Sequence, residues 1–189
     1  PTYWLLCGGF FVCGFHVAFI ATHLPPFIAD NDMPTMLAAT AIAIIGFFNI
    51  LGTLASGWLG GKYRQKYVLS WLYLARAFVI AGFFVFPITQ TSVLIFAALM
   101  GFLWLGTIPL TSGLVAHIYG VRYLGALFGI VFFSHQIGGF LGAWLGGYLF
   151  DLTGTYDVVW MIAIALGLLA AAIHLPITDR PLERTAQGA

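Results

Sequence analysis

The 189-residue chain is 61% hydrophobic and only 7% charged, with a mean hydropathy of +1.01 and a formal net charge of +1. A soluble domain carries about 25% charged residues, so this chain lacks the polar surface to cover a globule in water. Its near-balanced charge, with no basic stripe, also excludes a nucleic-acid binder, which needs cations to neutralise phosphates.

A bilayer core of roughly 30 Å calls for about 20 apolar residues per helix. Six runs meet that length: 3–23, 35–59, 67–86, 92–118, 123–150 and 156–175. They do not alternate apolar with polar, so a strand reading is excluded. The sequence predicts an all-α integral membrane bundle of six transmembrane helices over 1–176. A tail is assigned to 177–189; from Thr178 on it is polar, has no apolar periodicity and is expected to be mobile. The chain has no initiator Met and no charged segment before the first run, so a signal peptide is a poor reading of its start. It reads as a piece of a longer polypeptide.

In the first run Cys7 and Cys13 lie six residues apart. On a helix they point about 240° apart and cannot bridge each other. His16 and His23 share a face, but two histidines without an acid or thiol on that stripe are no metal site, and no metal or cofactor is expected. His16 is deep enough to line a cavity, whereas His23, in THLPP, reads as interfacial. The break HLPPFIADNDMPT ends this run.

In the second run Asn49 is expected to bond across a helix interface. A loop with Lys62, Arg64 and Lys66 follows. With Arg122, Arg180 and Arg184 these cations all share one side of a six-span zigzag; the other side holds Asp30, Asp32, Asp151 and Asp157. The positive-inside rule then places the start and the tail in the cytoplasm.

In the third run Arg76 is the one charged residue in the interior of any run, near mid-span. An arginine there needs carbonyls, an acid or an anionic ligand. Two readings stand: an anion-binding or gating cation, or a structural tie to carbonyls of neighbouring helices. In the fourth run Pro109 removes a donor and frees the Leu105 carbonyl, which predicts a kink. Trp104, Thr107 and Thr111 fall on one helical face, with Ser112 adjacent, and make either a cavity wall or a kinked helix whose hydroxyls bond its own backbone.

The fifth run contains FSHQIGGFLGAWLGG. His135 is near mid-depth, and Gly138, Gly139, Gly142 and Gly146 follow it on its own helical face, where another backbone can approach closely. Gln136 is turned about 100° away.

The loop GWLGGKYRQK resembles the basic loop between the second and third helices of each half of the major facilitator superfamily, with Gly61 where the family places an acid. FIATHLPPFIAD, IGFFNILGTLASGWLGG, WLYLARA, GFLWLGTIPLTSGLVAHIYG and FGIVFFSHQIGGFLGAWLGGYLFDLTGTYD resemble the C-terminal half of bacterial transporters of the monocarboxylate-transporter and oxalate–formate-antiporter type. The resemblance covers nearly the whole chain. It implies helices seven to twelve of a twelve-helix protein whose N-terminal six-helix half is missing here. It also implies that the first and fourth helices line a central cavity, that the second and fifth pack on the other half, and that the basic loop steadies a cytoplasmic gate.

The function implied is alternating-access transport of a small organic anion such as a monocarboxylate, by proton symport or exchange, in a bacterial inner membrane. Anion-carrying relatives often place cations in the helices equivalent to the second and fifth runs; here the second has none and the fifth offers only His135. His135 then has two readings: a titrating group in the pathway or a neutral interhelical bond. The alternatives are a membrane scaffold or sensor domain, and an intramembrane enzyme. The enzyme reading is disfavoured because Ser134 beside His135 diverges by about 100° and makes a poor dyad.

Overall fold

The computed structural model describes residues 2–182. Its helices are α1 (Thr2–Asp30), α2 (Thr35–Lys62), α3 (Gln65–Val85), α4 (Gln90–Phe102), α5 (Thr107–Tyr119), α6 (Leu124–Thr153) and α7 (Asp157–His174). A single 3-10 turn at Val121–Tyr123 leads into α6. α4 and α5 together make the fourth crossing, so the bundle has six spans long and apolar enough to cross a membrane. Arg184 lies outside the described residues.

Two expectations change. The first helix does not stop at His23 but runs on through Pro25 and Pro26 to Asp30. The prolines forgo bonds to the carbonyls of Ala21 and Thr22, both exposed residues. Packing holds the extension: Leu24 and Ile28 are fully buried, and the Phe27 ring meets Phe83, Tyr156 and Trp160. The fourth span is not one helix kinked at Pro109. It breaks at 103–106, and Pro109 sits in the first turn of α5, where its missing N–H costs nothing. The Leu105 carbonyl is taken by the Ile108 N–H at 3.0 Å.

α1 packs mainly on α6, α3 on α7, and α2 on α4. The core divides by depth into two apolar clusters. One gathers Phe19, Ile20, Ile80, Phe96, Met100 and Trp160. The other gathers Leu6, Phe10, Leu69, Leu114, Val115 and Ala170. Between them lie fully buried polar side chains, His16, Arg76 and Thr107.

The outer faces differ in kind. α6 buries only Val131, Gly138, Gly142 and Gly146, and exposes Phe133, Ile137, Phe140 and Trp144. α2 likewise exposes Phe47, Ile50, Leu54 and Trp58. At the other end of the chain, Ile177 is buried and the Leu182 N–H bonds the Ile118 carbonyl at 2.9 Å. The tail expected to be mobile from 178 is therefore tied to the bundle as far as Leu182.

Candidate functional site

The break in the fourth span frees backbone groups halfway along a segment apolar enough to cross a membrane, where lipid would offer them no partner. Side chains from other helices supply partners. Arg76 Nε and Nη2 donate to the Leu103 carbonyl at 2.9 and 2.6 Å, and Nη2 also reaches the Trp104 carbonyl. Nη1 donates to Cys13 Sγ at 3.4 Å. Asn49 Oδ1, on α2, accepts the Leu105 N–H at 3.0 Å. Arg76 thus places a cation at the C-terminal end of α4, where the helix dipole favours one. No acid pairs with it among the described residues. Tyr73 braces the guanidinium with its ring, 5.4 Å from the carbon, and donates its hydroxyl proton to the Gly9 carbonyl at 2.7 Å.

The glycines of α6 meet the backbone of α1. A Cβ at Gly138 would fall on the Phe11 carbonyl oxygen, and one at Gly142 on that of Phe15. The fit is reciprocal, because a Cβ at Gly14 would fall on the His135 carbonyl. Gly146 faces the His23 ring, and Gly139 has only ordinary contacts with Ala18 and Gly14. Ser134 Oγ donates to the Cys7 carbonyl at 2.8 Å. His23, expected at the interface, is buried and bonds the Ala143 carbonyl at 2.8 Å.

His135 stands at the edge of this seam. Its ring stacks on Phe132 at 5.4 Å and meets Phe10 at 5.0 Å. Nδ1 lies 3.2 Å from Oε1 of the exposed Gln136. An amide oxygen only accepts, so Nδ1 donates. Nε2 points inward, within electrostatic reach of Cys13, and has no partner that meets hydrogen-bond geometry. Cys13 Sγ and Thr107 Oγ1 are 3.1 Å apart. Polar groups therefore run from the bare α6 face to the core: Gln136, His135, Cys13, then Arg76 and Thr107.

Other candidates fall elsewhere. His16 is fully buried and donates from Nε2 to the Ala163 carbonyl of α7 at 2.8 Å, so it faces the bundle core. Thr107 and Thr111 are buried inside the bundle, while Trp104 sits in the break and is half-buried. The three do not share one helical face, because the helix is interrupted between Trp104 and Thr107. Ser112 Oγ donates to its own helix, to the Ile108 carbonyl at 2.9 Å. Cys13 was the residue that sequence reasoning passed over. Its position three before His16, on one face of α1, was the available signal.

On the basic loop, Arg64 donates from Nε and Nη2 to the Asp179 carboxylate at 2.9 and 2.5 Å. That hydrogen-bonded pairing holds the Asp179 carboxyl below its ordinary 3.8. Lys66 Nζ donates to the Leu175 and Ile177 carbonyls at 3.3 and 2.7 Å, just past the end of α7. Lys62 lies over the Trp58 and Tyr63 rings. No cluster of residues suited to a metal ion occurs among the described residues.

The profile of the Major Facilitator Superfamily matches residues 5–189. The chain belongs to the major facilitator superfamily. Its relatives include the "Uncharacterized MFS-type transporter YcxA" of Bacillus subtilis (strain 168), 32% identical over 183 residues, which are 93% of this chain and 44% of that protein. "Monocarboxylate transporter 13" of Rattus norvegicus is 26% identical over 87% of this chain and 38% of its own length. "Monocarboxylate transporter 12-B" of Danio rerio is 25% identical over 93% of this chain and 37% of its own. The chain thus spans about two fifths of these relatives. With six spans long and apolar enough to cross a membrane, this superfamily bundle is an integral, multi-pass membrane protein.

Proposed function

We propose that this bundle is the C-terminal half of an alternating-access carrier for a small organic anion of the monocarboxylate class, moved with a proton or by exchange. Both chain ends lie in the cytoplasm, and the membrane is a bacterial inner membrane. The observation that carries the reading is the α6 face. It lays His135 and Gln136 at mid-span beside a bare apolar surface, with Cys13 and Arg76 behind them. The bare faces of α2 and α6 suit a second six-helix half, and a solute held between the halves would meet His135 first. Arg76, bonded to two carbonyls and a thiol, acts as a clamp on the break in the fourth span. The Arg64–Asp179 pair and Lys66 steady the cytoplasmic end.

Counterflow tests this. The full-length protein is reconstituted in vesicles preloaded with unlabelled lactate, and labelled lactate is added outside. A transient overshoot of label inside is expected of a carrier. Absence of overshoot for lactate and a panel of other carboxylates, in vesicles shown to hold folded protein, would favour a scaffold or sensor.

A further inference from the structure

We propose that the basic end of the α2–α3 hairpin binds one anionic phospholipid, with its phosphate at Lys62 and Arg64 and an acyl chain laid along α3. Two cavities lie there, on either side of shared lining residues. One, of about 340 Å³, is mixed in character, with Leu114 beside the polar or charged side chains of Lys62, Arg64, Gln65, His117 and Asp179. The other, of about 470 Å³, is apolar and is lined by Leu59, Tyr67, Val68 and Trp71. Tyr63 and Arg64 line both. A ligand that fills the pair needs an anionic head and an apolar tail joined end to end, which describes a phospholipid. A free anion would leave the second groove empty.

Location and charge agree with this ligand. Trp58 and Trp71 are 63% and 70% exposed, and such amphipathic rings sit at headgroup level. Basic pockets between helices at that level hold anionic headgroups. Lys62 Nζ lies 5.0 Å over the Trp58 ring, and no acid pairs with it among the described residues. Arg64 is held by the Asp179 carboxylate, an internal anion occupying the place of a headgroup. Arginine binds carboxylate and phosphate with the same two-pronged geometry, so the lipid phosphate competes with Asp179. A bound lipid therefore releases the segment that Asp179 pins. The site lies at one membrane surface whichever way the bundle is oriented, and it does not depend on the solute.

Native mass spectrometry of the full-length protein, taken from vesicles of phosphatidylcholine with phosphatidylglycerol, reads the lipid that stays bound. One phosphatidylglycerol should remain on the wild type and on Arg122→Gln, which removes an exposed cation outside both cavities. Lys62→Gln with Arg64→Gln should weaken retention on the order of 20-fold. Trp71→Ala should also weaken it, Asp179→Asn should strengthen it, and millimolar inorganic phosphate should leave it unchanged. If the double variant does not fold, Lys62→Gln alone, which loses only ring contacts, should still weaken retention roughly fivefold. Equal retention by wild type and variants, or equal loss in Arg122→Gln, would overturn the site. Displacement by inorganic phosphate would make it a free-anion site.

Discussion

At the residue scale, Arg76 shows how a membrane interior constrains a charge. Among the described residues it has no acid; its donors go to two carbonyls of a broken helix and to a thiol. Arg76→Leu strands those two carbonyls, each at roughly 1–3 kcal/mol, so it should cost roughly 2–6 kcal/mol and lower the thermal unfolding midpoint in detergent. Arg76→Lys should recover only part of that, because one ammonium cannot reproduce the guanidinium fork. An unchanged midpoint in Arg76→Leu would show that the break is held by other groups. His135 is the opposite case, with one ring nitrogen bonded at the surface and the other unpartnered inside. His135→Gln should leave folding intact and abolish proton-coupled uptake. Normal uptake at every pH would reduce His135 to packing.

At the element scale, the glycine stripe of α6 and the break in the fourth span show what the sequence could convey. The stripe was legible because spacings of three, four and seven put residues on one helical face whatever lies opposite. Gly142→Ala should drive a methyl into the Phe15 carbonyl and cost roughly 1–3 kcal/mol. Gly82→Ala, where nothing lies within 4 Å, should be neutral or slightly stabilising. Comparing the unfolding midpoints of the two variants checks the α1–α6 seam. The break was not legible. Pro109 drew attention as the obvious breaker, yet the interruption lies upstream at 103–106 and is completed by Arg76 and Asn49 from other helices. The extension of α1 past Pro25 and Pro26 escaped notice for a similar reason, since it is fixed by the contacts of Phe27 and Ile28.

At the scale of the whole molecule, the six spans were readable because lipid forces long apolar runs, and nothing else in the sequence competes with that signal. Which polar residues face a cavity was not readable. His16 and Thr111 sit in stretches as apolar as the one around His135, and only the packing turns the first two into the bundle and leaves His135 at its edge. The closing of the chain on itself adds a pH dependence. Asp179 titrates below 3.8 in the folded state because of Arg64, so the pair's contribution is complete above that value and is lost as pH falls through the lowered one. Hydrogen exchange at the Leu182 amide, corrected for intrinsic rate, should lose protection at low pH and in Asp179→Asn. The central proposal is that this bundle is half of a carrier for a small organic anion, moved with a proton or by exchange. The most direct measurement is uptake of a labelled monocarboxylate by vesicles containing the full-length protein, with and without an inside-alkaline pH gradient. Moved with a proton, the acid should accumulate above equilibrium until the gradient is dissipated; moved by exchange, it should enter faster in vesicles preloaded with the unlabelled acid. Uptake that never exceeds that of protein-free vesicles would contradict the proposal.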